Sequence, residues 1–101
     1  MRETIIKFEK GPSGKKYTAF IKNKTTKKVR KIHFGASDYQ QYCDSTPLKL
    51  YKNKNHFTLK RRQNYFNRHS GKKTKNAAIK FEKKKSHGYY TAKILSHQYL
   101  W

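Results

Sequence analysis

Acidic residues are scarce in this chain. Five Asp and Glu stand against 26 Lys and Arg in 101 residues, which gives a formal net charge of +21. A compact domain with that much charge of one sign repels itself unless an acidic partner lies against it. The composition therefore predicts a protein that binds a polyanion, with nucleic acid, an acidic protein surface and an anionic membrane face as the three candidates.

Cysteine and long apolar segments are also lacking. Cys43 is the only cysteine, so no intramolecular disulfide can form, and nothing indicates a secreted, disulfide-stabilised fold. Ile5 and Ile6 are followed at once by Lys7, which does not fit the apolar region of a signal peptide. No stretch approaches the ~18 apolar residues of a transmembrane segment. We expect a protein made in a reducing cytosol or nucleus.

Aromatic side chains, by contrast, are plentiful. Eight Tyr, six Phe and one Trp make up 15% of the chain, although the hydrophobic fraction is only 34%. Each ring buries a large area at a low cost in conformational entropy, so these residues can build a small core. We expect residues 1–101 to form one small basic domain with a thin core.

Residues 3–34 show the period-two pattern of β-strands. Tyr17, Ala19 and Ile21 occupy alternate positions in the second of three such segments. Residues 11–16 lack the Gly and Lys spacing of a phosphate-binding loop and instead predict a hairpin turn. The pattern predicts a three-stranded antiparallel meander with one apolar face and one Lys-rich face.

A helical part is predicted over residues 37–71. Ser37 and Gln40 match a capping box, which predicts a short helix from Asp38 to about Cys43. A basic helix is predicted over residues 57–70.

The ends and the apolar face of the basic helix follow from its sequence. Thr58 can cap its first turn, and Gly71 can end it. Leu59 and Phe66 lie seven residues apart, which places them on one face. Lys60, Arg61, Asn64 and Arg68 would then occupy the other side.

The last third of the chain changes from basic to apolar. Residues 72–88 form a Lys-rich segment in which residues 77–81 fit either a short strand or a turn of helix. Residues 89–101 are too apolar for a solvated tail, and we expect them to dock on Phe34, Tyr39 and Phe66 or on a neighbouring subunit. The expected fold class is α+β: a small three-stranded antiparallel meander, a short helix, a basic helix and a docked apolar C-terminal segment.

No pattern of residues predicts catalysis or a metal centre. The five histidines contain no His-x₃-His pair, and one cysteine cannot complete a zinc site. We therefore expect the histidines to be surface or partner contacts. The five acids are scattered, without a pair suited to general acid–base chemistry, and Cys43 fits a buried structural thiol. We expect neither enzymatic activity nor a cofactor.

Three cationic clusters are the candidate polyanion-binding sites. The first surrounds the second hairpin, the second lines the basic helix, and the third fills the Lys-rich segment. A merely solvated face would mix charges of both signs for solubility, whereas acids are nearly absent here. The clusters consist of Lys22, Lys24, Lys27, Lys28, Arg30 and Lys31; of Lys60, Arg61, Arg62 and Arg68; and of Lys72, Lys73, Lys75, Lys83, Lys84 and Lys85.

Three segments together resemble a known family. Residues 34–42 contain a Phe-Gly-Ala run followed by Tyr-x-x-Tyr, residues 61–69 form an Arg-rich segment ending in Arg-His, and residues 94–101 end in Leu-Trp. In order and spacing these segments resemble a family of small basic proteins of large nucleocytoplasmic DNA viruses, of the chlorella-virus and mimivirus kind. The Lys-rich segment is longer here than in that pattern.

The resemblance implies a protein that is made in the host cytoplasm or nucleus and has its place in the virion. With the charge, it predicts a non-enzymatic structural protein, either a basic adaptor or a minor capsid component that binds acidic virion proteins such as the major capsid protein. The alternative is a sequence-nonspecific nucleic-acid-binding protein that condenses the viral genome. Peripheral contact with an anionic membrane is a third candidate interaction.

Overall fold

The computed structural model describes residues 1–101, and its first third is a three-stranded antiparallel sheet. Strand β1 spans Glu3–Lys10, β2 spans Lys15–Asn23 and β3 spans Val29–Ala36. The strands follow one another in the sheet in chain order. The predicted meander is confirmed.

The two faces of the sheet differ as the alternation predicts. One face supplies the main core with Tyr17, Ala19 and Ile21 from β2 and Ile32 and Phe34 from β3. On the opposite face, the ammonium groups of Lys7 and Lys31 lie 4.6 and 5.4 Å from the ring centre of Phe20. The lysines of the two outer strands thus flank an aromatic residue of the central strand.

Three helices complete the fold. Helix α1 spans Leu59–Ser70, α2 spans Lys75–Lys85 and α3 spans Ala92–Tyr99, and a short 3₁₀ turn at Lys52–Lys54 precedes them. Helix α3 contacts both β3 and α2, and α1 contacts α2. Helix α3 therefore lies on the apolar side of the sheet, where Leu95 joins the core, and α2 and α1 pack in turn beside it. This is the α+β arrangement that the sequence predicts.

Helix α1 matches the predicted basic helix, although its apolar face differs. Gly71 ends it in the left-handed conformation at φ 64°, as predicted. The Thr58 side chain does not cap the helix: its hydroxyl accepts from no amide of the first turn and donates to the carbonyl of His56. Leu59 and Phe66 do lie on one face, since both line the same cleft. Leu59 is nevertheless 68% exposed, and the buried aromatic residues of the helix are Tyr65 and Phe66.

The predicted helix from Asp38 to about Cys43 is absent. Gln40 does not reach back to Ser37; its side chain accepts a hydrogen bond from Arg61 at 2.9 Å. Gln41 is fully buried and forms a bridge with Asn55. Burial of this polar side chain, which bonds partners distant in sequence, holds the backbone in a turn followed by an isolated bridge where the capping-box pattern favours a helix.

The Lys-rich segment contains helix α2. Thr74 caps it by accepting from the amide of Ala77 at 3.2 Å. Its buried positions are Ala78 and Glu82, one turn apart. The choice between a strand and a turn of helix for residues 77–81 is thus resolved in favour of helix.

The apolar C-terminal segment docks on its own domain. Leu95 and Leu100 join Phe34 in the main core. The Trp101 ring stacks on that of Tyr65 with centroids 4.2 Å apart and planes 6° apart. Tyr39 is not a docking partner, contrary to expectation, because its side chain stays 72% exposed.

Candidate polyanion-binding surface

Three of the five acids lie inside the fold. Glu3, Asp44 and Glu82 are buried, which leaves Glu9 and Asp38 as the only exposed acids. Glu9 is itself paired with Lys7 at 3.0 Å. The few negative charges of the chain therefore stabilise its interior and neutralise little of its surface.

Glu3 ties the sheet to the segment before α3. Its carboxylate accepts from Arg30 at 2.7 and 2.8 Å and from the amide of Tyr90 at 2.7 Å. The Arg30 guanidinium holds the pKa of Glu3 below its usual value. Arg30, one of the predicted polyanion-binding residues, thus already has a charged partner within the protein.

Asp44 organises the loop between the sheet and α1. Its carboxylate accepts from the hydroxyl of Tyr17, from the amide and hydroxyl of Thr46, and from the amide of Tyr51. Burial, together with the bond to Asp44, raises the pKa of Tyr17 to about 12, so this hydroxyl remains a donor at neutral pH.

Lys16 is the only buried cation. Its ammonium donates to the carbonyl of Tyr39 at 2.6 Å and to the side chain of Gln41. Burial lowers the pKa of Lys16 to about 8, and repulsion by Lys54 contributes. The other Lys and Arg side chains are exposed or half-buried, so the surface is cationic almost throughout.

The hairpin cluster meets the end of α2. The amide of Lys24 donates to the carbonyl of Arg2, the amide of Arg2 donates to Gly88, and that of Gly88 donates to Lys83. This relay of backbone hydrogen bonds, each 2.9–3.0 Å long, places the hairpin beside the last turn of α2. The basic end of the molecule, as we call it, comprises Arg2, Lys22, Lys24, Lys27, Lys28, Lys83, Lys84 and Lys85. Lys31 lies farther along β3, beside Phe20.

A second cationic site lies at the other end of α2. Arg62 from α1 lines a cleft of about 390 Å³ together with Lys73 and Lys75. The Arg62 guanidinium also lies 4.6 Å from the ring centre of Tyr42. Burial and repulsion by Arg62 lower the pKa of Lys75. The α1–α2 cleft, as we call it, thus joins predicted residues from two clusters.

The remaining predicted cations lie outside both sites. Lys60 and Arg68 are exposed on α1, Arg61 bonds Gln40, and the Lys72 ammonium lies 4.8 Å from the ring centre of Phe81. The lysines of residues 72–85 therefore belong to two sites, because one group lies at the start of α2 and the other lies in its last turn.

A third cationic region was not predicted. Lys15, Arg68 and Lys93 line a groove of about 510 Å³ that also contains Tyr39 and Trp101. Only Arg68 belongs to a predicted cluster. Lys15 and Lys93 stand 78 positions apart in the sequence, and no sequence signal joins them. Only the packing of α3 beside β3 brings them to one groove.

One histidine forms a buried polar network between the helices. His97 is fully buried, contrary to the expected surface position. Its ring nitrogens lie 3.0 Å from the hydroxyl of Tyr65 and 2.8 Å from that of Ser70, which donates to Glu82 at 2.9 Å. Because the Glu82 carboxylate only accepts, His97 donates to Ser70 from Nε2 and accepts from Tyr65 at Nδ1.

The Ser70–His97–Glu82 network lacks the order of a hydrolase triad. In a triad the acid bonds the histidine, which in turn activates the serine, whereas Glu82 bonds the serine directly. Ser70 is also buried. Together the four side chains fasten α1, α2 and α3 to one another, which is a structural role.

Acid should weaken this network. Burial lowers the pKa of His97 from 6.5 to about 4, so the unfolded chain binds the proton more readily. The free energy of unfolding should therefore fall by about 3 kcal/mol as pH falls from 6.5 to 4. Denaturant titrations at several pH values measure this. The lowered pKa of Glu3 removes stability only as pH falls further, below its ordinary 4.5.

A matched pair of variants isolates the histidine. His97→Asn should be less stable at pH 7 but should lose less stability on acidification than the wild type. The exposed His87 provides the control, because His87→Asn should keep the full acid dependence. An unchanged acid slope in His97→Asn would contradict this assignment.

Neither a metal centre nor a membrane-spanning helix is found. No three His, Cys, Asp or Glu side chains lie close enough together to hold a metal ion. No helix is long and apolar enough to cross a membrane. Cys43 is free and half-buried, less enclosed than the buried thiol expected.

Comparisons with protein-family models, curated proteins and solved structures gave no match. The resemblance to proteins of large DNA viruses therefore stays a prediction from the three segments that carry it.

Proposed function

We propose that the protein is a non-enzymatic structural component of a large DNA virus particle. In this role it is a basic adaptor or minor capsid component that lies against acidic surfaces of virion proteins. The observation that carries the proposal is the one-sided surface charge, with Glu3, Asp44 and Glu82 buried and nearly all cations outside. Such a surface needs an acidic counterpart more than a surface of mixed charge does.

The separation between the basic end and the α1–α2 cleft supports an adaptor. The α1–α2 cleft lies at the start of α2 and the basic end lies at its last turn. A helix of 11 residues separates its ends by about 16 Å. Two acidic partners can therefore be held at once, one by each site.

Cross-linking mass spectrometry on intact particles tests the adaptor role directly. Links from Lys73 or Lys84 to a capsid protein are the expected result. Absence of the protein from purified particles would overturn the virion assignment. Nucleic-acid adducts on these lysines, without protein links, would overturn the choice of partner.

Nucleic acid is the second candidate partner, and a specific observation favours it. The groove beside β3 combines an exposed ring, Tyr39, with cations. Acidic protein surfaces attract cations but gain little from a neighbouring ring, whereas nucleic-acid bases stack on one. This favours a nucleic-acid role alongside the adaptor role.

Charge reversal at the basic end should weaken polyanion binding. We expect Lys24→Glu, Lys27→Glu and Lys84→Glu, combined in one protein, to weaken binding to duplex DNA and to polyglutamate. For DNA, the slope of log affinity against log salt should become shallower by about 2.7, at about 0.9 per lost phosphate contact. Fluorescence anisotropy over a range of salt concentrations gives this slope.

A second triple variant controls for total charge. Lys10, Lys49 and Lys52 are exposed outside both sites, and replacing each with Glu changes the net charge equally. We expect this variant to bind more tightly than the basic-end variant. Equal losses would mean that only total charge matters, and would contradict a located site.

A further inference from the structure

The groove beside β3 has a closely packed floor. It lies between the start of β2, the end of β3 and helices α1 and α3, and its floor includes Phe34 and Leu100, both buried. Gly35 is also part of it, at φ +79°, and a Cβ there would lie 2.8 Å from Leu100 Cδ1. The backbone at Gly35 therefore packs so closely against Leu100 that no room is left for a side chain.

Tyr39 stands at the groove on a fixed backbone. Its amide donates to the carbonyl of Ala36 at 3.2 Å, and its carbonyl accepts from the buried Lys16 ammonium at 2.6 Å. Tyr39 is 72% exposed, and its ring belongs to none of the aromatic pairs of the core. A large ring held in solvent at the mouth of a concave site is available to a ligand.

The charges around the groove are all of one sign. Lys15, Arg68 and Lys93 line it, and no acid does. The side chains of Lys15 and Arg68 form no hydrogen bond within the protein, and Lys93 bonds only the carbonyl of His69 at 3.2 Å. The groove thus combines cations from three elements with an exposed aromatic ring.

We propose that this groove binds single-stranded nucleic acid, with a base stacked on Tyr39 and the phosphates on Lys15, Arg68 and Lys93. The inference rests on the proposed polyanion binding and names the polyanion that this groove takes. Unpaired bases offer a planar face to an aromatic side chain, whereas a duplex keeps its base faces stacked. An acidic peptide would use the cations and leave Tyr39 without a planar partner.

The single tryptophan provides the readout. Trp101 lines the groove, so its fluorescence should change when an oligothymidylate of about 12 nucleotides binds, within the ~4–16 nucleotide range of single-strand sites. We expect Tyr39→Ala to weaken this binding about 5- to 100-fold, the usual range for loss of one base–aromatic stack. Tyr39→Phe should retain it.

Tyr89 provides the matched control. It is also exposed, at 40%, but lies outside the groove, so Tyr89→Ala should bind like the wild type. Thermal melts of both alanine variants should match the wild type, because neither ring belongs to the core. A duplex of equal length should bind with no loss on changing Tyr39 to Ala.

Three results would overturn the inference. The first is that Tyr39→Ala and the wild type bind the oligothymidylate with equal affinity. The second is that duplex binding depends on Tyr39 as strongly as oligothymidylate binding does. The third is that polyglutamate at equal charge concentration displaces the oligothymidylate. The last would identify an acidic protein as the occupant. The proposed polyanion binding fails separately, if neither duplex DNA nor polyglutamate binds even at low salt.

Discussion

Deleting residues 97–101 should abolish the cooperative unfolding transition or lower its midpoint by more than about 10 °C. The deletion removes His97 from the polar network, Leu100 from the main core and the Trp101 ring from Tyr65. Each large buried side chain contributes roughly 1.5–3 kcal/mol. A domain of this size has only about 5–15 kcal/mol of stability in total.

The deletion also releases the loop before α1. The amide of Cys43 donates to the carbonyl of Leu100 at 3.0 Å, and that of Ser45 donates to Tyr99 at 2.8 Å. Circular dichroism during heating measures the loss. Trp101→Phe is the control, because a phenyl ring can still stack on Tyr65, and it should melt close to the wild type. A truncated protein with a normal melt would show that the segment is dispensable for folding.

Replacing Asp44 with Asn should cost about 2–4 kcal/mol of unfolding free energy. The carboxylate accepts four hydrogen bonds in the interior. An amide has one oxygen, and its NH₂ group would face donors that already point inward. At least one buried donor, from Tyr17, Thr46 or Tyr51, would then lack an acceptor.

Asp38 offers the same chemical change without burial. It is exposed, and Asp38→Asn removes the same charge from the same residue type. Urea titration of both variants should show a loss for Asp44→Asn and nearly none for Asp38→Asn. Similar losses in both would mean that net charge, rather than the buried hydrogen bonds, determines the effect.

The sequence predicts most of the strands and the docked end because their signals are local. Alternation in β2 predicts which of its residues are buried in the core. The many apolar side chains of residues 94–101 likewise predict that this segment is buried. The same approach fails at Asp38–Cys43. There the decisive partners of Gln41 and Asp44 are Lys16 and Tyr17, 25 and 27 positions away, and a capping-box pattern carries no information about them.

The sequence leaves residues 77–81 of helix α2 undecided for a related reason. Its buried face contains Glu82, which lies inside because Ser70 donates to it. Hydrophobic periodicity registers only apolar residues and therefore misses a helix that buries a carboxylate. The candidate site, too, is only partly predictable from the sequence. Exposure of the lysines follows from composition, whereas the groove requires the tertiary placement of Lys15 and Lys93.

Because three of the acids are buried, acidic residues and lysines differ in how freely they can be substituted. Glu3, Asp44 and Glu82 each have specified donors, so a substitution at any of them alters the interior. Most lysines have no such partner, and one can be lost as another arises elsewhere on the surface. Over evolutionary time the positions of the acids should be retained, while the lysines can exchange positions as long as their number stays high.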